Sequence, residues 1–214
     1  IAITDHVCET NGLFGLGAKY LKWTVRQDNF KQYIGEIHKQ AERARKQYGM
    51  VVLPGYEITK NSIFPGQSAH LLVIGSEKFM CANQDIRTTL KNLKNEGAFT
   101  VAAHPVDTGV KEKQTFQLWN MREEIRPLID AWEVASGAIW FDEVAESGLP
   151  MLANSDLHHP SQIQSYKTVL SCERHPEAII EAIRHQDIDF KFYHVNEGVV
   201  RKSSAVELLA AFGT

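Results

Sequence analysis

Apolar positions along the chain fall into two kinds of run. Short, almost unbroken apolar stretches stand at 1–4 (IAIT), 50–59 (MVVLPGYEIT), 69–75 (AHLLVIG), 98–105 (AFTVAAHP), 128–135 (LIDAWEVA) and 150–156 (PMLANSD). Between them lie segments whose apolar residues recur at helical spacing. In 27–48 the residues Phe30, Ile34, Ile37 and Ala41 share one stripe opposite Lys and Glu, and Gly49 supplies a stop. Further helices are predicted over 84–96, 114–126, 138–148 and 175–186, the first and third of these closed by Gly97 and Gly148. Strands apolar on both sides, alternating with amphipathic helices, predict a parallel α/β architecture. The stretch 197–214 is weakly patterned, with a short helix over AVELLAAF, so the domain is expected to span 1–196 and the tail 197–214.

In such an architecture functional groups gather at the carboxyl ends of the strands. There the predicted strands carry one kind of chemistry. Strand 1–4 runs into Asp5 and His6, strand 50–56 into Glu57, strand 98–103 into His104, strand 128–132 into Glu133, and strand 150–154 into Asp156 and His158. His70 is the odd member, because it stands at the start of its strand and not at the end. Taken singly, Asp5 and Asp156 also suit helix N-caps, and Glu133 suits a structural hydrogen bond. Taken together, imidazoles and carboxylates from five elements point to a site for Zn, Mn or Fe. An ion held in this way lowers the pKa of a bound water toward ~7 and provides a hydroxide nucleophile at neutral pH.

Composition narrows the partners. The 214 residues carry a net charge of −3 with no long basic or acidic run. That speaks against a charge-driven, obligatory nucleic-acid partner and leaves room for a small charged substrate. The three cysteines, Cys8, Cys81 and Cys172, are odd in number and widely spaced, as in a reducing compartment. With no apolar run near the ~20 residues of a membrane span, the expectation is a cytoplasmic protein without a membrane partner.

The stretches IAITDH, LPGYEIT, HLLVIG, VAAHP, AWEVASG and NSDLHHP follow one another in the order and character of the PHP superfamily, the polymerase and histidinol phosphatase domains. SYKTVLSCERHPEAIIEAIRH (165–185) resembles that family's closing strand and helix. The resemblance covers roughly residues 1–190. It implies a distorted (β/α)7 barrel holding two or three divalent ions (Mn, Zn or Fe) and phosphoesterase chemistry. By resemblance His6, Glu57, His70, His104, Asp156 and His158 are the metal ligands. Of these, His6, Glu57, His104, Asp156 and His158 form the catalytic set, and Asp5 and Glu133 support the ligands from behind. The substrate expected is a small phosphomonoester or nucleotide, attacked by metal-bound hydroxide. A metal-dependent hydrolase of C–N or C–O bonds and a non-catalytic PHP-like module are the alternatives.

Two departures from the family pattern stand out. The family's first motif, a strand carrying His-x-His, stands upstream of a TDH motif, and this chain starts at IAITDH. The expectation is that the natural protein continues upstream and that the barrel here lacks its first strand; a degenerate domain that has lost its first metal site is the alternative. The second departure is 7–26, about twenty residues rich in Gly, aromatic and basic types. It reads either as a loop packed on the barrel or as a lid that brings Lys19, Lys22 or Arg26 to a phosphate. Gln67 and Ser68, in a polar loop at the same rim, are further candidates for substrate contact.

Overall fold

A computed structural model of the chain describes residues 1–11, 24–109 and 115–195. The N-terminal apolar run forms two short strands, β1 (Ala2–Ile3) and β2 (His6–Cys8), both parallel to β3 (Leu53–Lys60). Helix α1 (Phe30–Tyr48) connects them and ends on Gly49 at φ 62°, a left-handed cap that glycine adopts without strain. β4 (Ala69–Ile74) follows, then α2 (Ile86–Asn95), whose N-cap Asp85 accepts from the amides of Arg87 and Thr88. Next come β5 (Phe99–Ala102), two single-turn helices α3 (Gln117–Asn120) and α4 (Arg122–Ile125), and β6 (Ala131–Ser136). The chain continues through β7 (Ile139–Trp140), α5 (Asp142–Ala145) and β8 (Met151–Asn154). It closes with β9 (Tyr166–Leu170), α6 (Pro176–Arg184) and β10 (Ile188–Phe192). The expected helix over 138–148 is thus a two-residue strand and one helical turn.

Eight strands form one mixed sheet and not the all-parallel one expected. β4 runs antiparallel to both β3 and β5, while β5, β6 and β8 are parallel. The antiparallel β3–β4 pair follows from chain length: only 61–68 separates the two strands, too short for the dozen or more residues of a parallel crossover.

The order β2-β3-β4-β5-β6-β8 puts β2 and β8 at opposite edges. In a flat sheet they would lie roughly 24 Å apart, at ~4.8 Å per strand. Yet the ring of His6, on β2, lies 6.0 Å from that of His158, just beyond β8. The sheet is therefore strongly curled, a half-barrel, and no pairing among the described residues joins β8 back to β2. Beyond β8, the Thr168 hydroxyl of β9 donates to Ala153 O and accepts from Ala153 N–H, both at 2.9 Å, which fastens the antiparallel β9–β10 pair to the sheet.

Strand alternation divides the core in two. Tyr56, Ile58, Leu71, Val73, Trp132 and Val134 face outward and pack under α1 and α2 with Phe30, Ile34, Ile86 and Leu90. Leu53, Leu72, Ile74, Phe99, Val101, Ala131 and Leu152 line the concave face with Ile183 of α6. Both faces are buried, so the strands read as continuous apolar runs. On the concave face the apolar residues fill one end of the strands, and polar residues occupy the other.

Candidate metal centre

The polar end of the concave face is built from the same alternation. Along β3, Leu53 and Gly55 are followed on that face by Glu57 and Thr59. Along β4, His70 precedes Leu72 and Ile74. Because β4 is antiparallel, its first residues lie beside the last residues of β3, and Thr59 pairs with His70 across the strands. This is why a histidine at the start of a strand belongs with groups near the ends of the others. Glu57 itself lies inside β3 and not beyond its end, three residues short of Lys60.

Glu57, His70 and His104 offer ligand atoms that all lie within 4.8 Å of one another. Oε1 of Glu57 and Nδ1 of His70 are 2.6 Å apart. Both atoms are buried, and neither finds a partner with hydrogen-bond alignment. Burial alone would push the Glu57 carboxyl up, but His70, then His6 and His104, outweigh it and hold the group down at about 2. A carboxylate that stays ionised inside a protein beside three imidazoles, with two orphaned donor atoms facing each other, has the chemistry of a cation site.

Further imidazoles line up around this group. The ring of His70 lies 4.9 Å from that of His104 and 5.9 Å from that of His6. Nδ1 of His6 stands 3.8 Å from Glu57 Oε1. His158 contacts Asp156, with Nδ1 at 3.4 Å from Oδ1 and 3.0 Å from the main-chain oxygen. His104 and Asp156 adopt positive φ, 29° and 45°, unusual for residues other than glycine and typical of positions held by a site. Glu133 lies deep on the concave face, 1% exposed, and accepts the His104 backbone N–H. Its carboxyl is pushed up to about 8 by burial first, then by Asp156 and Glu57, against the pull of that N–H.

The remaining candidates are dispersed. Asp5 is exposed. Its backbone serves the site, since Asp5 O accepts the Glu57 N–H at 2.9 Å and Asp5 N–H donates to the Tyr33 hydroxyl at 3.0 Å. Arg26 bonds Asp28 at 3.1 Å. Gln67 and Ser68 are tied within their own loop: Ser68 Oγ accepts from Ser62 N–H at 2.9 Å, and Ser62 Oγ donates to Gln67 at 3.3 Å. Lys19 and Lys22, with most of the suggested lid, lie outside the described residues. Sequence reading missed three groups that hold the imidazoles: Thr59, Asn61 and Thr115. Thr59 was open to detection, being two residues from Glu57 on the same strand face.

No family sequence model and no curated protein matches the chain. Among solved structures it is similar to a two-domain protein from Bacteroides vulgatus that contains a predicted PHP-like metal-dependent phosphoesterase. The TM-score is 0.62 at 20% sequence identity, over 90% of this chain and 55% of that one. The chain thus spans little more than half of that protein's length. The likeness establishes a PHP-like fold. Among the described residues no helix is long and apolar enough to cross a membrane.

Proposed function

We propose that this chain is a metal-dependent phosphoesterase acting on a small phosphomonoester or nucleotide. The observation that carries the reading is the group of Glu57, His70 and His104 at the polar end of a PHP-like half-barrel. We assign His6, Asp156 and His158 as the further ligands of a set for two or three divalent ions, Mn, Zn or Fe; the 3.8 Å from His6 Nδ1 to Glu57 Oε1 and the 6.0 Å between the His6 and His158 rings support the assignment. Such ions supply Lewis-acid stabilisation of phosphate oxygens and an activated water.

The chain's own residues set up that chemistry. Glu57 remains anionic at neutral pH and offsets cationic charge. Glu133 holds the main chain of His104 in place, and the Asp5 carbonyl holds that of Glu57. A rim histidine not taken up as a ligand would hand a proton to the leaving alkoxide, and His158, the most exposed imidazole of the group, is the candidate if Asp156 and His6 suffice to complete the ion set. Lys19, Lys22, Arg26, Gln67 and Ser68 remain candidates for binding the rest of the substrate.

The test is metal content by elemental analysis, with hydrolysis of p-nitrophenyl phosphate and nucleoside monophosphates in Mn²⁺, Zn²⁺ or Fe²⁺. At least one ion per chain is expected, with turnover that falls by 10²-fold or more in Glu57→Gln and His104→Ala. Less than one ion per chain, or turnover of amides or lactones and not phosphates, overturns the reading.

A further inference from the structure

Three imidazoles of the site are each held at one ring nitrogen by an uncharged oxygen, and the partner's onward bonding (the two threonines) or its acceptor-only oxygen (Asn61) decides which nitrogen carries the proton. Nδ1 of His6 lies 2.7 Å from Thr59 Oγ1. That hydroxyl donates to the main-chain oxygen of Glu57 at 3.3 Å, so its proton is committed and it accepts from the ring. Nδ1 of His104 lies 3.1 Å from Thr115 Oγ1, which donates to the His104 carbonyl at 2.8 Å. The same logic applies: a carbonyl only accepts, the hydroxyl must donate to it, and the ring must donate to the hydroxyl. Nε2 of His70 meets Asn61 Oδ1, an acceptor only, at 3.1 Å.

We infer that Thr59, Thr115 and Asn61 are positioning residues that set the imidazole tautomers, so that His6 and His104 present Nε2 to the site and His70 presents Nδ1. The hydroxyls act as neutral counterparts of the carboxylates that often support metal-binding histidines. Both threonines are 3% exposed, so water does not compete for their hydroxyls. His6 pairs directly with Glu57 across β2 and β3, and its Nδ1 nevertheless lies nearer Thr59, the diagonal neighbour two residues on. His70 follows the opposite rule because β4 is antiparallel, and its Nδ1 already faces the Glu57 carboxylate.

The inference rests on the metal-site reading, and its first readout does not require metal. Long-range ¹H–¹⁵N spectra of ¹⁵N-histidine-labelled, metal-free protein, at a pH where the rings are neutral, should show His6 and His104 protonated at Nδ1. In Thr59→Val and Thr115→Val the corresponding ring should become a mixture of tautomers. Zn²⁺ affinity, by competition with a chelating dye, should drop roughly 10- to 100-fold in each. Thr59→Ser and Thr115→Ser should restore both properties, which a purely steric role for the methyl group would not allow. His6 or His104 protonated at Nε2 in the wild type overturns the inference, as do valine variants with unchanged tautomers and affinity. A wild-type protein that shows the expected tautomers but takes up no Zn²⁺, Mn²⁺ or Fe²⁺ overturns the metal reading and upholds the tautomer assignment.

Discussion

Glu133 accepts the backbone N–H of His104 from the neighbouring strand, and this contact ties a fully buried acid to one of the site's two positive-φ residues. The hydrogen bond explains how His104, with φ at 29°, is held where its ring reaches the Glu57–His70 pair. It also puts the Glu133 carboxyl within the field of Glu57 and Asp156, which adds to the effect of burial in disfavouring its ionised form. The two buried glutamates part company accordingly: imidazoles hold Glu57 down at about 2, while burial lifts Glu133 to about 8.

That separation makes a pH prediction for the metal-free protein. The folded value of about 8 for Glu133 lies above its ordinary 4.5, so the folded state binds the extra proton between those two pH values. The carboxyl therefore costs stability as pH rises through the window, and the cost is complete above 8. Glu133→Gln keeps the acceptor oxygen and never ionises. Its melting temperature should lie at or below the wild-type value at pH 5 and gain on it by several degrees by pH 8.5. A difference that stays flat from pH 5 to 8.5 would show that Glu133 is ionised throughout.

Gly55 is required by the approach of β3 to its neighbours. A Cβ added there would sit 2.6 Å from Val73 O, with Thr4 Cγ2 at 3.1 Å and Ile3 O at 3.3 Å. Two of these are backbone atoms of adjacent strands, so the strands themselves must move. Gly55→Ala should lower urea-unfolding stability by about 1–3 kcal/mol. It should also weaken Zn²⁺ binding, because the same β3–β4 pairing carries Glu57 and His70. Unchanged stability would mean that the strands separate at no cost.

The candidate site was more legible than the strand directions that assemble it. Acid and histidine near the ends of apolar runs drew attention to Glu57, His104, Asp156 and His158, and of these Glu57 and His104 come together with His70. His70 fitted no rule, because a fully buried strand such as AHLLVIG carries no sign of its direction. The short 61–68 connection was the available clue that β4 turns back. The segment 138–148 misled for a different reason: Trp140 and Val144 have helical spacing, yet the Trp140 ring packs against those of Tyr166 and Phe190 at 5.2 and 5.8 Å. That contact with β9 and β10 is tertiary, and no local window contains it. Thr115 and Asn61 were invisible for the same reason.

The Thr168 side chain both donates to and accepts from the backbone of Ala153. Thr168→Val keeps the shape and removes both bonds, leaving an N–H and a carbonyl of a half-buried strand without partners. The expected loss is about 1–3 kcal/mol by urea unfolding. Amide exchange at Ala153 should accelerate, with little change at Val101 in the centre of the sheet. Unaltered protection of Ala153 would show that the β9–β10 pair is held by its apolar contacts alone.

Lys60, at the end of β3, is buried and fully committed. Its three N–H donors meet Glu9 Oε1 at 3.0 Å, Ala82 O at 2.7 Å and Gln84 O at 3.1 Å. Beside it Asn83 clips Thr10, accepting the Thr10 N–H at 2.7 Å and donating to its hydroxyl at 2.8 Å. These contacts fasten the chain where it leaves β2 for the long connection to α1. Lys60→Met fills the same space but leaves two carbonyls and a carboxylate unpaired. The loss should be about 2–3 kcal/mol, reduced from the value for a fully buried pair because Glu9 is partly exposed. Arginine should not rescue it, since a planar fork does not reproduce three acceptors arranged around one nitrogen. The urea midpoint should fall, and the Thr10 amide should lose protection against exchange before Ile58 does. A midpoint equal to the wild type would mean that water satisfies these acceptors as well as the lysine.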